Sequence, residues 1–351
     1  MLPSTTRPNL PSAHRPIMIV GEFPGEQEER TGRPFDGPAG SVLFGILRQA
    51  GIDPREVHFT NAINERPRGN RFDHFLGPKS EAIPNYRAFA QGKFIHRRYA
   101  PELTRLADEI ARVQPNVIIA LGNLALWALC KKSGIKKYRG SPLPTHAEIT
   151  PEYKVIPAWG PNSIMRQWEL RVITLADCSK ARTESAYPEI RRPSHLIYLE
   201  PDIEDIEQFY HTHLLNTPYV SSDIETKMGT ITEVGVGTAD GAHIMVIPFY
   251  QRSAASGNYW STHAKEAEAW RWVRRIHELP TVGQNFSYDM QYFWRTVGIP
   301  CPNFLGDTML LHHALQPEME KSLGFLGSIY TNEPSWKFMR ADHSTLKKGD
   351  D

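Results

Sequence analysis

Short apolar runs punctuate the first half of the chain at 17–20, 57–63, 117–122 and from 155 onward, each closing on glycine or polar turn residues. Runs of this length predict buried parallel strands. Between them the apolar positions repeat every three or four residues. Val42, Leu43, Ile46, Leu47 and Ile52 form one stripe, stopped at Gly51, and Leu103, Leu106, Ile110 and Val113 form another, broken by Pro115. Both predict helices with one buried face. The segment 170–182, LRVITLADCSKAR, reads as a strand and final helix closing this part. Strand–helix alternation of this kind defines an α/β class. A polar stretch at 187–201 holds Pro188, Pro193 and Pro201 and marks a domain boundary. The pattern then changes: 219–249 predicts three successive strands joined by turns at Met228–Gly229 and Asp240–Gly241.

A chain of 351 residues, 40% hydrophobic, can bury two cores of normal size. It contains no apolar run of about eighteen residues, so no membrane partner is expected. Residues 1–15 are proline-rich and polar, unlike a signal peptide, and read as a flexible lead-in to a soluble, cytoplasmic protein. Cys130, Cys178 and Cys301 are too few and too far apart for a disulfide framework or a tetrahedral metal site. Charge changes the picture further. Residues 1–195 carry 28 Lys and Arg against 19 Asp and Glu, while 196–351 carry 12 against 20. A basic first half suits a polyanionic partner, although scattered surface charge also serves solubility.

The first strand runs into a turn rich in glycine and proline that opens on one carboxylate, Glu22. Ligands of open α/β sheets gather at that strand end. Gly25, Gly32, Gly37 and Gly40 let backbone approach a ligand, and Phe35 offers a flat face, which together suggest a slot for a ring. Taken singly, Glu22 could cap the turn and Phe35 could fill core. At the end of the second strand stands Asn61, whose amide can offer an acceptor and donors to the edge of a ring, or can simply form a turn. A loop then carries Arg66, Arg68 and Arg71 with Phe72 and Phe75, a composition that suits a DNA backbone contact or a solvated surface.

The strings G-E-F-P-G and G-R-P-F-x-G-P-A-G closely resemble the first motif of the uracil-DNA glycosylase superfamily, family 4 in particular. T-N-A-I-N-E-R-P-R-G-N-R is similar to the family string that carries the uracil-reading asparagine, here Asn61. VIPAWGPNSIMR (155–166) fits the strand and second motif, with Pro161 and Arg166 matching and Gly160 in the histidine's place. The resemblance implies that Glu22 acts on water or the sugar cation, Phe35 stacks on uracil, and Ser163 and Arg166 contact DNA. It further implies that the backbone at Gly160 or Asn162, or the Asn162 amide, stands in for the missing imidazole. Losing such a donor costs roughly 100- to 1,000-fold in rate, so slow excision is expected. Glu65 occupies a family cysteine position and the paired N-terminal cysteines are missing, so no iron–sulfur cluster is expected.

In the second half, Asp223 and Glu225 lie two apart on a predicted strand and point to one side. Two carboxylates on an otherwise apolar strand suit a cation. The D-I-E-T string and VGQNFSYDMQYF (282–293) resemble the first two motifs of DnaQ-like 3′–5′ exonucleases of the DEDD group, and Asp307 falls where that group orients a following helix. The resemblance implies Mg²⁺ or Mn²⁺ held by Asp223, Glu225 and Asp289. Taken alone, Asn285 is a helix cap and Asp289 an exposed charge. The third motif, a Tyr or His four residues before an Asp, is missing; Asp350 or Asp351 would be a poor substitute, and the chain reads as truncated.

These readings give a tail at 1–15, an α/β/α three-layer glycosylase-like domain at 16–186, a linker at 187–195 and a ribonuclease H-like mixed-sheet exonuclease domain at 196–351. DNA containing uracil is the expected partner, and a following polymerase region or replication proteins are implied as well. The rival readings are a module that binds uracil or DNA without cutting it, tethered to the exonuclease, and a chain in which only the nuclease half acts.

Overall fold

The computed structural model describes residues 16–254 and 256–334. These form two units: 16–191 with 327–334, and Arg192–Leu326. In the first, β1 (Ile17–Gly21) leads through the short helix α1 (Glu26–Thr31) to α2 (Pro38–Gln49) and β2 (His58–Asn61). An irregular stretch with a small ribbon, β3 (Leu76–Gly77) and β4 (Phe94–Ile95), precedes α3 (Ala100–Val113). Then come β5 (Val117–Leu121), α4 (Asn123–Cys130), α5 (Ile135–Tyr138), β6 (Leu143–Pro144), β7 (Lys154–Ala158), α6 (Pro161–Arg166) and α7 (Leu170–Glu184).

The sheet order is β2-β1-β5-β7-β6, parallel except for β6. Alternation of side chains across a strand makes three layers of it. Met18, Val20, Ile118 and Ala120 join α3 and α4 in one core, while Ile17, Ile19, Val117, Ile119 and Leu121 join α2, α6 and α7 in another. This is the expected α/β/α arrangement. One expectation fails: 170–182 is helix throughout, with no strand. Thr174, Cys178 and Ala181 are buried at spacings of four and three, the period of a helix face.

The second unit opens with β8 (Leu196–Tyr198) and α8 (Ile203–Thr212). Next, β9 (Val220–Lys227), β10 (Thr230–Thr238) and β11 (His243–Pro248) form the expected antiparallel meander. Met228 and Gly229 both take positive φ, 52° and 82°, as a tight hairpin turn requires. After α9 (His263–Ile276) follow β12 (Thr281–Gly283), α10 (Ser287–Tyr292), β13 (Phe304–Asp307), α11 (Thr308–Leu315) and α12 (Leu323–Tyr330). The mixed sheet runs β13-β12-β9-β10-β11-β8. Its core joins Ile224, Val234, Val236 and Ile247 to Ile206 and Phe209 of α8 and Val273 and Ile276 of α9.

From Gly327 the chain is counted with the first unit, not with the second as the boundaries at 196–351 anticipate. The Lys180 ammonium donates to the carbonyls of Ser328 and Thr331 at 2.5 and 2.6 Å, and Arg139 donates to Ser328 Oγ at 2.8 Å. Carbonyls at the end of a helix have no partner within it, and Lys180 satisfies two of them while Arg139 holds the Ser328 hydroxyl.

Candidate functional site

Glu22, Phe35, Asn61 and Gly160 converge on one cavity of about 490 Å³ at the C-terminal edge of the first sheet. Parallel pairing puts Gly21 beside Asn61. A Cβ at Gly21 would lie 2.4 Å from Asn61 Oδ1 and 2.8 Å from Phe35 Cζ, so glycine there is what lets the amide and the ring meet. Phe35 reaches this place with φ 57°, an uncommon conformation for a bulky residue, and its ring rests edge-on against Phe59 at 5.6 Å. The tight turn behind it needs Gly40, whose Cβ would collide with the Phe35 carbonyl oxygen.

Glu22 Oε1 accepts the Leu124 N–H at 3.0 Å, at the start of α4. Burial raises its pKa; the Leu124 and Asn123 N–H groups and the positive charge of Arg166 pull the other way without prevailing. Gly122, at φ 90°, leaves the room the carboxylate occupies. Gly160 caps α6 in extended conformation, and a Cβ added to it would meet nothing nearer than 3.8 Å. Asn162 and Ser163 line the cavity, and Arg166 reaches Ser163 Oγ at 3.4 Å.

The basic loop departs from expectation. Arg66 donates to Asn70 at 2.8 Å and Glu29 at 2.9 Å and pairs with Glu26, so it ties the loop to α1. Arg68 is exposed, and Arg71 lies 3.6 Å from Asp73. Phe72 and Phe75 are packing residues against Phe23, Phe89 and Tyr99, not an open stacking surface. Glu65 accepts the Tyr99 hydroxyl and meets His74, both at 3.1 Å. At the cavity lip, Met165 is 50% exposed, with Trp168 three residues on at 60%. In the sequence the run M-R-Q-W after the second motif is the signal for both.

In the second unit Asp223 and Glu225 are exposed on one side of β9. Asp289 is buried, and its Oδ1 accepts the Ile224 N–H at 2.9 Å. Burial first, then the charge of Asp223, pushes its pKa up to about 7. Asp307 caps α11 through Met309 and also accepts from Asn285 and Phe286, which fixes the entry to α10. Among the described residues no three His, Cys, Asp or Glu gather to hold a metal ion; of the three carboxylates expected to do so, Asp223 lies close enough to Asp289 for its charge to act there. Asp289 is turned toward the backbone of β9, which limits the gathering. Hard oxygen donors whose charges already oppose one another fit a divalent cation in kind. Asp350, Asp351 and the place of the third motif lie outside the described residues. No helix among the described residues is long and apolar enough to cross a membrane.

An α/β/α layer thus brings an acid, an aromatic and an amide around one cavity at the edge of its sheet. Residues 8–184 match the family model of the uracil DNA glycosylase superfamily, and the chain belongs to that superfamily. It is 37% identical over 171 residues to the type-4 uracil-DNA glycosylase of Thermotoga maritima, covering 48% of this chain and 76% of that one. With the type-4 enzyme of Sulfurisphaera tokodaii it shares 30% over 179 residues, 49% of this chain and 71% of that one. A DNA polymerase of Bacillus phage SP01 is 24% identical over 330 residues, 84% of this chain but 32% of the polymerase. Among solved structures, the Nibbler EXO domain of Aedes aegypti superposes with a TM-score of 0.29 at 10% identity, over 39% of this chain and 69% of that one.

Proposed function

We propose that the first unit removes uracil from DNA by hydrolysing its N-glycosidic bond, and that the second trims DNA from the 3′ end with a divalent cation. The observation that supports the first reading best is the convergence of Glu22, Phe35 and Asn61 on one cavity. A flipped uracil stacks on Phe35 and pairs with the Asn61 amide, while Glu22, its pKa raised by burial, takes a proton from water or steadies the sugar cation. Ser163 on the cavity wall and Arg166 beside it contact DNA phosphates, as do Arg68 and Arg71 of the loop after β2, and Met165, exposed on the cavity wall, fills the gap the base leaves. In the second unit Asp223 and Asp289, with Glu225 beside them, would hold Mg²⁺ or Mn²⁺, which when bound supplies an activated water. The span shared with a phage DNA polymerase supports a role in replication or repair, with a polymerase region as partner.

A second reading follows from Gly160, which offers no side chain to stabilise charge on the departing base: the first unit senses uracil without excising it. One experiment separates them. A uracil-containing oligonucleotide is incubated with the chain and treated with hot alkali, and the same chain is given a 3′-labelled strand with Mg²⁺. Breakage at uracil that Glu22→Ala abolishes supports excision, and retention without breakage supports sensing. Magnesium-dependent digestion that persists in Asp223→Ala would refute the nuclease assignment.

A further inference from the structure

Behind Asn61, on the side away from the cavity, lies an ionic network that belongs to α3. We infer that Arg105 is the positioning residue for the Asn61 amide; this rests on the reading of Asn61 as the group that reads the base.

The argument starts from the edge of the sheet. β2 is the outermost strand beside β1. The Ala62 N–H donates to Gly21 O at 2.8 Å, so residue 62 faces β1 and the preceding carbonyl, that of Asn61, faces outward where no strand follows. A buried carbonyl needs a donor. Arg105 provides it: Nη2 donates to Asn61 O at 2.7 Å. The same guanidinium is itself held, with Nε on Glu102 at 3.0 Å and Nη1 on Glu109 at 2.6 Å. Both glutamates are buried, at 6% and 3% exposure, and both reach back to the strand: Glu102 accepts the Asn64 N–H at 2.9 Å, and Glu109 meets His58 at 2.6 Å.

Three residues at i−3, i and i+4 of one helix therefore grip the backbone on both sides of Asn61. The grip fixes the peptide plane, the peptide plane fixes the Cα–Cβ direction, and that direction sets where the amide points. A planar fork can hold a carbonyl and two carboxylates at once, which an ammonium cannot match in geometry. Displacing a reading group by about 1 Å is enough to cost on the order of 100-fold. The grip consequently acts on selectivity for the base and not on the chemistry of Glu22.

The test uses the full chain and compares its affinity for single-stranded oligonucleotides that differ only in one uracil or cytosine. Arg105→Lys keeps the charge the two glutamates require and loses the fork; Arg105→Met removes both. We expect each to lower the uracil-over-cytosine ratio by about tenfold or more, with the melting temperature of Arg105→Lys within a few degrees of the parent. If Arg105→Met fails to fold, Arg105→Lys alone decides. Asn61→Asp serves as the control, because a carboxylate accepts from the cytosine amino group and offers uracil no donor. A parent without uracil preference, or an Asn61→Asp chain that keeps it, overturns the reading of Asn61 and this inference with it. A preference lost in Asn61→Asp and intact in folded Arg105→Lys overturns the positioning role alone.

Discussion

The Leu124 N–H donates to Glu22 Oε1 at 3.0 Å across 102 residues of sequence. The acid that leaves β1 is thereby aimed by the first turn of α4, where unpaired N–H groups favour negative charge. What makes this contact possible is Gly122 between β5 and α4.

At φ 90°, with a prospective Cβ 2.6 Å from Glu22 Cδ, Gly122 tolerates no side chain. Gly122→Ala should lower stability by about 1–3 kcal/mol from backbone strain and excision by about 100-fold from displacement of the acid. Urea unfolding and the alkali assay read the two effects separately. Wild-type excision in a folded Gly122→Ala chain would mean that Glu22 is not held from this side.

The raised pKa of Glu22 has two consequences of defined sign. Its folded value exceeds the ordinary 4.5, so its contribution to stability is full below that value and is lost as pH rises through the folded pKa. If the carboxylate is the base, excision should rise with pH over that same window. Glu22→Gln should flatten both profiles and slow excision by about 100-fold or more. A pH–rate profile unchanged by the substitution would exclude Glu22 as the titrating group.

Gly160 has room for a larger residue, since an added Cβ meets nothing within 3.8 Å. Gly160→His restores a donor for the developing charge on the base and should raise the rate by roughly 100-fold. The single-turnover rate on a uracil oligonucleotide measures it. No gain from a folded variant would place charge stabilisation elsewhere, with the backbone around Asn162 as the next site to test.

His277 is wholly buried in the second unit. Its Nδ1 lies 2.8 Å from the Val273 carbonyl and its Nε2 lies 2.9 Å from the Ser222 hydroxyl, so a neutral ring serves both contacts. Burial lowers its pKa to about 4. Between the unfolded value near 6.5 and that of the fold, the unfolded chain binds the extra proton, and stability falls as pH falls. The slope should approach about 1.4 kcal/mol per pH unit, read by urea unfolding of the second unit, and His277→Gln should remove it. An unchanged slope would show that other groups govern acid sensitivity there.

Much of this molecule was legible before any fold was known. The apolar runs became β1, β2, β5 and β7, and the Met228–Gly229 hairpin followed from residues that accept positive φ. The strings around Glu22, Phe35, Asn61 and Gly160 named side chains that share a cavity. Local pattern misled where two periods compete. LRVIT looks like a strand for five residues and is helix because its burial repeats over fifteen. It also misled over charge and aromatics: Arg66 turned to Glu29, and Phe72 and Phe75 turned inward.

Periodicity and turn chemistry are properties of neighbours along the chain, so the amino-acid order by itself determined β1, β2, β5 and β7, the β9–β11 meander and the helices α2 and α3, and it singled out the side chains around the cavity. Which carboxylate is buried, which cation is committed and which backbone carbonyl is gripped depend on partners far apart in sequence, as with Arg105 and Asn61 at a separation of 44. Such pairings arise only when the sheet closes and the helices settle on it, and only the tertiary structure could decide them.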